Sequence, residues 1–178
     1  MLSGKNAVLR TLRKDDISTV HDLSVRMEEM GDYWPADFTS EIRFQNHFDE
    51  TGCWEEHSGT LLITDHADRL LGQIFYFKGI PYGSGYEIGY RVFKQEDMGK
   101  GYATEALQML VDYLFSRKPA ERLQATTITG NAASQRVLEK AGFRPEGVLR
   151  KAVFHRGSNM DIQMNCILRE EWEALKAD

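Results

Sequence analysis

The chain has little cysteine, little proline, no basic run and no long apolar run, and each shortage narrows what it can be. Two cysteines in 178 residues, Cys53 and Cys166, are too few and too far apart for a disulfide framework or a metal-ligand set. Cys166 alternates with Ile162, Met164 and Leu168 and reads as a buried strand thiol. Four prolines and no low-complexity tract offer no linker, so residues 1–178 are expected to form a single domain with its own core. The longest apolar stretches reach about five residues, where a bilayer span needs about 20. Residues 6–16 mix charge throughout, with no basic start leading into an apolar segment, and a reducing cytoplasm is the expected compartment. Lys and Arg number 22 against 27 Asp and Glu, a formal charge of −5, which argues against a general nucleic-acid binder.

Periodicity supplies the elements. A strand fits residues 7–12, followed by the capping carboxylates Asp15 and Asp16. A helix face then runs through Ile17, Val20, Leu23, Met27 and Met30 to Gly31. Thr39 and Ser40 are possible caps for a second helix carrying Ile42, Phe44 and Phe48. Residues 60–64 and 70–78 flank the polar cluster Asp65-His66-Ala67-Asp68 and read as a hairpin. Residues 86–92 form a strand with Tyr86, Ile88, Tyr90 and Val92 on one face. A long helix follows over 101–115, with Ala103, Ala106, Leu107, Leu110, Val111 and Leu114 as its apolar stripe. Then come a strand at 122–128, a helix at 131–141 ended by Gly142, strands at 147–154 and 161–168 around Gly157, and a short helix near Glu171. This order predicts an α/β or α+β fold, a mixed sheet with helices on both faces.

The stretch Met98-Gly99-Lys100-Gly101-Tyr102-Ala103-Thr104-Glu105-Ala106 follows a strand and opens a helix. Two glycines allow close backbone approach, and unpaired N–H groups at the helix start suit a pyrophosphate. It is not a Walker loop, because Gly101 follows Lys100. Nor is it a dinucleotide fingerprint, because Thr104 stands in place of the last glycine. Alone, such a turn is weak evidence.

With Tyr86-Glu87-Ile88-Gly89-Tyr90 before it and Asn131-Ala132-Ala133-Ser134-Gln135-Arg136-Val137-Leu138-Glu139-Lys140-Ala141-Gly142-Phe143 after it, the sequence resembles the GNAT acetyltransferases of the RimJ/RimL-type branch. The likeness runs from Leu9-Arg10 to Ile167-Leu168-Arg169-Glu170-Glu171-Trp172. It implies a GNAT fold, a mixed, mostly antiparallel twisted sheet of about seven strands with a splayed central pair. It also implies acetyl-CoA as cosubstrate, an amine as acceptor and no metal; charge and the short apolar runs already speak against a nucleic-acid or membrane partner, and a monomer or homodimer is expected.

By the same resemblance, Met98, Gly99, Lys100, Gly101, Tyr102, Ala103 and Thr104 hold the CoA pyrophosphate. Val92 and Phe93 pair with the pantetheine arm, and Asn131 bonds to it. Met98 departs from the Arg or Gln usual at the turn's first position. Ser134 matches the RimL-like serine that contacts or protonates the departing thiolate, while Leu138 replaces the tyrosine many other members carry. The Glu that some RimL-like enzymes place in the strand after Gly147 is Val153 here, which leaves Glu87 as the candidate base or amine binder. Glu28 and Glu29 are candidates to attract a cationic amine. His47, His66 and His155 are expected at the surface. Tyr33, Trp34 and Tyr82 border the acceptor groove in this fold, and Trp34 either stacks on substrate or packs its loop against the second helix; Trp54 belongs to the same weighing. The acceptor is a protein N-terminal α-amine or a small amine, the latter making the enzyme a detoxifier; a weakly catalytic CoA-binding protein is the remaining alternative.

Overall fold

The structure is a computed structural model describing residues 1–29, 31–34, 38–79 and 85–177. Its strands are β1 (Leu2–Ser3), β2 (Val8–Thr11), β3 (Ser58–Thr64), β4 (Leu70–Phe77), β5 (Tyr86–Val92), β6 (Arg122–Ile128), β7 (Arg144–His155) and β8 (Ser158–Leu168). Its helices are α1 (Ile17–Val25), α2 (Glu41–Thr51), α3 (Tyr102–Arg117), α4 (Ala132–Lys140) and α5 (Arg169–Ala177). The strands form one sheet in the order β1-β2-β3-β4-β5-β6-β8-β7, one more than the sequence predicts because the two-residue β1 joins the edge. All neighbours run antiparallel except β5 and β6.

Strand alternation divides the sheet into two faces. On one, Leu9, Ile63, Ile74, Ile88, Leu123 and Ile167 meet the buried stripe of α3 (Ala106, Leu107, Leu110, Val111, Leu114, Phe115), with Leu138 of α4 closing that core. On the other, Leu62 and Phe93 pack beneath Ile17, Val20 and Leu23 of α1, with Phe44 and Phe48 of α2 over them. That second core covers only the β2–β5 end, so the same face over β5, β6 and β8 carries Glu87, Gln124 and Thr126 instead of a helix. Cys166 is buried in β8, and burial pushes its thiol up to about 12.

Two expectations give way. The first helix stops at Val25, not Met30: Arg26 is extended, and Glu29 belongs to a separate short turn, Met27–Glu29. The Leu23 carbonyl, one of those a helix end leaves open, accepts from Arg91 Nη2 at 3.2 Å, so a residue on β5 finishes the helix. His155 is not at the surface. It is 7% exposed, with Nε2 2.6 Å from the Asp32 carbonyl oxygen, because the β7–β8 turn folds against the loop after α1. His47 and His66 are exposed. Trp54 lies away from that loop, edge-on to Tyr76 and Tyr113 beside the α3 core.

Candidate active site

The parallel pair β5/β6 is joined at only two positions, Tyr86↔Leu123 and Glu87↔Gln124, although each strand has seven residues. Beyond Glu87 the strands part. Phe93 donates its N–H to the Leu71 carbonyl at 2.9 Å, and antiparallel alternation then turns the backbone groups of Arg91 and Gly89 toward β4 and those of Val92 and Tyr90 into the gap. The open edge therefore offers peptide N–H and C=O groups to an extended, amide-bearing ligand. Phe93 itself is fully buried with its N–H occupied, which leaves Val92 and Tyr90 facing the gap.

The gap ends at the glycine turn. Gly99 and Gly101 have φ of 73° and 88°, and a side chain at either would meet nothing within 4 Å, so the space over the turn is open. The first helical bond of α3 runs from Glu105 N–H to the Gly101 carbonyl at 3.0 Å, so the N–H groups of Tyr102, Ala103 and Thr104 have no helical acceptor. No side chain caps them. The Glu105 carboxylate accepts from the N–H groups of Lys5 and Asn6 and so does not fill the anion position. These features fit a pyrophosphate at the N-terminus of a 16-residue helix. Met98 is exposed, and Lys100 Nζ is 3.5 Å from Asp97.

Asp97 braces this turn. It is 2% exposed and takes two bonds from Arg69, at 2.8 and 3.1 Å, which hold its carboxyl below the usual range against the cost of burial. A group whose folded value is depressed stabilises the fold above its unfolded value, and that contribution is lost as pH falls through the folded value. Asp97→Asn should therefore lower the melting temperature by several degrees at pH 7. The gap from wild type should close as the solution is acidified below about pH 4. A melting-temperature series across pH checks this, and a gap independent of pH would contradict it.

Across the gap, Asn131 caps α4 by accepting the Ser134 N–H at 3.1 Å, which fixes the first helical turn. Ser134 Oγ lies 2.8 Å from the Tyr90 hydroxyl, which is also 3.2 Å from the Ser134 carbonyl oxygen. Burial pushes the Tyr90 phenol up to about 12, opposed by the bond to Ser134, so it stays protonated near neutral pH. Its single proton can go to the Ser134 carbonyl or to Oγ; in the second arrangement the serine hydrogen is free to point into the gap.

On the other face of β5, the half-buried Glu87 accepts from Gln124 Nε2 and Thr126 Oγ1, both at 3.0 Å, so its carboxylate bridges the two strands where they part. Phe75 covers Gly89 next to it. Residues 31–34 cross above. Trp34 sets its ring edge-on to Phe75 (6.4 Å) and 5.5 Å from the Arg91 guanidinium, and thus packs on the sheet. The Tyr33 hydroxyl donates to the Gly130 carbonyl at 3.2 Å, beyond β6. His155 and Arg156 hold the same segment at Asp32 and Gly31. Glu28 is exposed and Glu29 half-buried in the short turn after α1, while Tyr82 lies outside the described residues. Sequence reasoning missed Tyr90 as a partner of Ser134, and it missed Asp97 and Arg91. Their only trace was a polar residue in a buried strand or an acid beside a glycine turn. Among the described residues, no group of three His, Cys, Asp or Glu side chains is placed to hold a metal, and no helix is long and apolar enough to cross a membrane.

Comparison with known proteins agrees with this arrangement. The "Probable N-acetyltransferase YjcK" of Bacillus subtilis is 39% identical over 120 residues, 67% of this chain and 65% of that protein, so the match spans slightly less than two thirds of the relative's length. The Vibrio cholerae spermidine N-acetyltransferase in complex with CoA and spermine superposes with a TM-score of 0.83 at 20% identity, covering 94% of this chain and 98% of that one. RimL, a ribosomal L7/L12 α-N-protein acetyltransferase solved with CoA, gives 0.80 at 20% identity over 93% and 95%. At such identity these two structures speak for the fold alone. The acetyltransferase (GNAT) domain family matches residues 6–144. The splayed strands, the glycine turn at a helix start and this match agree: the chain belongs to the GNAT acetyltransferase family.

Proposed function

We propose that the protein transfers the acetyl group of acetyl-CoA to an amine by direct attack, the donor lying along the open edge of β5 and the acceptor arriving on the Glu87 face. The observation that carries this reading is the open strand edge, which begins beside Glu87 and ends at the unpaired N–H groups of Tyr102, Ala103 and Thr104. Acetyl-CoA supplies a thioester that an unprotonated amine can attack. An alkyl ammonium, with a pKa near 10, must first lose a proton, and the Glu87 carboxylate stands on the acceptor face to take it or pass it to water. The departing thiolate takes the proton that the attacking nitrogen sheds on acylation, relayed through the Ser134 hydroxyl, which Tyr90 orients by donating to Oγ. Backbone N–H groups on the open edge are placed to polarise the carbonyl. Asn131 holds Ser134 in position.

Two acceptor classes follow from the family, a protein N-terminal α-amine and a small amine. RimL exemplifies the first, supporting the RimJ/RimL-type reading, and the spermidine enzyme the second. The segment 31–34, tied down at Gly130 and at the β7–β8 turn, roofs the acceptor face, which favours a small amine. We read residues 1–178 as one cytoplasmic domain. Thiol release from acetyl-CoA, measured across small amines and peptides with free N-termini, tests the proposal. Turnover with small amines, di- and tripeptides included, ahead of longer peptides is expected. Tight CoA binding without turnover on any acceptor would contradict it and favour a non-catalytic CoA-binding protein.

A further inference from the structure

Arg91 lies on the acceptor face of β5, two residues beyond Gly89, or about 7 Å along the strand. It is 5% exposed, and among the described residues Nη2 is its one nitrogen with a partner, the Leu23 carbonyl. Nε and Nη1 are buried with no hydrogen-bond partner among the described residues. A guanidinium carries five N–H donors, and Nη2 keeps a second hydrogen. Whichever hydrogen Leu23 takes, the other lies alongside Nε–H or an Nη1–H, so one edge of the group retains a free two-donor fork. Leaving a buried charge this incompletely bonded is costly, and burial indeed lowers the affinity of Arg91 for its proton, with the Glu29 charge opposing. The rings of Trp34 and Phe93, 5.5 and 5.6 Å from the guanidinium carbon, supply no oxygen acceptor. A planar two-donor fork is the complement of a carboxylate.

We infer that the acceptor carries a carboxylate a few bonds from its amine, and that Arg91 binds it beneath Trp34. This rests on the acetyltransferase reading and narrows the acceptor to amino-acid derivatives and short peptides, against polyamines. The amine sits beside Glu87, and the carboxylate points along the strand, past the Phe75 ring that covers Gly89, to Arg91. An acidic side chain next to a peptide's N-terminal amine presents the same chemistry, so the test separates the two sources.

The experiment compares acetylation of glycylglycine with glycylglycinamide, and of tripeptide amides bearing Asp or Asn at the second position, with spermidine as a carboxylate-free amine. Wild-type kcat/KM should favour the acid of one pair by about 10- to 100-fold, chiefly through KM. The first pair identifies a free carboxylate, the second an acidic side chain. In Arg91→Gln the preference should collapse toward one, and Arg91→Lys should restore part of it. Equal use of acid and amide by the wild type, or spermidine used as well as the acids, overturns the inference whether or not the variants fold. So does an unchanged preference in Arg91→Gln. If amines without a carboxylate are acetylated and these acids are not, the inference fails while the acetyltransferase reading stands. If no amine of any class is acetylated although CoA binds, the acetyltransferase reading itself falls.

Discussion

Gly101→Glu should weaken CoA binding by at least about 100-fold, measured by titration calorimetry. Two effects add. Gly101 has φ of 88°, where a side chain costs about 1–2 kcal/mol. The new carboxylate would also stand at the mouth of α3, where Tyr102, Ala103 and Thr104 present unpaired N–H groups, and occupy or repel the position of the pyrophosphate. Like charges about 4 Å apart repel by about 4 kcal/mol near a protein surface, and 1.4 kcal/mol is tenfold in affinity. Nothing lies within 4 Å of a side chain placed there, so the variant should fold. Gly101→Asn separates the two effects, because Asn tolerates positive φ and is neutral; it should bind CoA within about tenfold of wild type. Normal CoA binding by Gly101→Glu would mean the phosphates lie elsewhere.

Ser134→Ala should lower kcat by about 100-fold, the lower range for a lost proton donor, and leave CoA affinity within about twofold. Tyr90→Phe removes the phenol that sits 2.8 Å from Ser134 Oγ and should lower kcat by about tenfold. Because the two hydroxyls act as one unit, the double variant should be no slower than Ser134→Ala alone. Multiplying effects would show independent roles, and an unaltered kcat in Ser134→Ala would remove the serine from the chemistry. The Tyr90 phenol, pushed up to about 12, stays neutral through the working range, so the alkaline limb of the wild-type rate profile should not begin with its ionisation.

Much of this architecture is legible from local pattern. Tyr86–Val92 and Arg122–Ile128 form the expected strands because two-residue alternation is read directly from side chains. The stripe of α3 is buried as its spacing requires, except that Ala103 is half-buried and Phe115 joins the core. The conformation of the candidate site was legible where backbone chemistry dominates, as in the glycine turn at Gly99 and Gly101 and the helix start at Asn131.

What local pattern misses are contacts across the chain. Met27 and Met30 continue the helical spacing, yet α1 ends at Val25, and Arg91 donates to the carbonyl of Leu23 in its last turn, 68 residues away. Nothing local marks Asp97, beside the glycine turn, as the buried partner of Arg69, 28 residues earlier. The Tyr90–Ser134 pair joins positions 44 apart, and His155 is buried by a loop 123 residues earlier. Each depends on which elements meet in the sheet, information that no stretch of sequence carries alone.

The most direct test of the account is the pattern of backbone amide shifts in NMR spectra as CoA is titrated into the labelled protein. The largest changes should fall at Gly99 to Thr104, at Tyr90 and Val92 on the open edge, and at Asn131 and Ser134. Residues 45–50 of α2 and the β7–β8 turn should stay near their starting positions. Changes concentrated instead around Glu139 of α4 and Glu171 and Leu175 of α5, which line a separate groove, or no saturable change at Gly101 and Tyr90, would contradict the placement of the donor between β5 and β6 and the chemistry built on it.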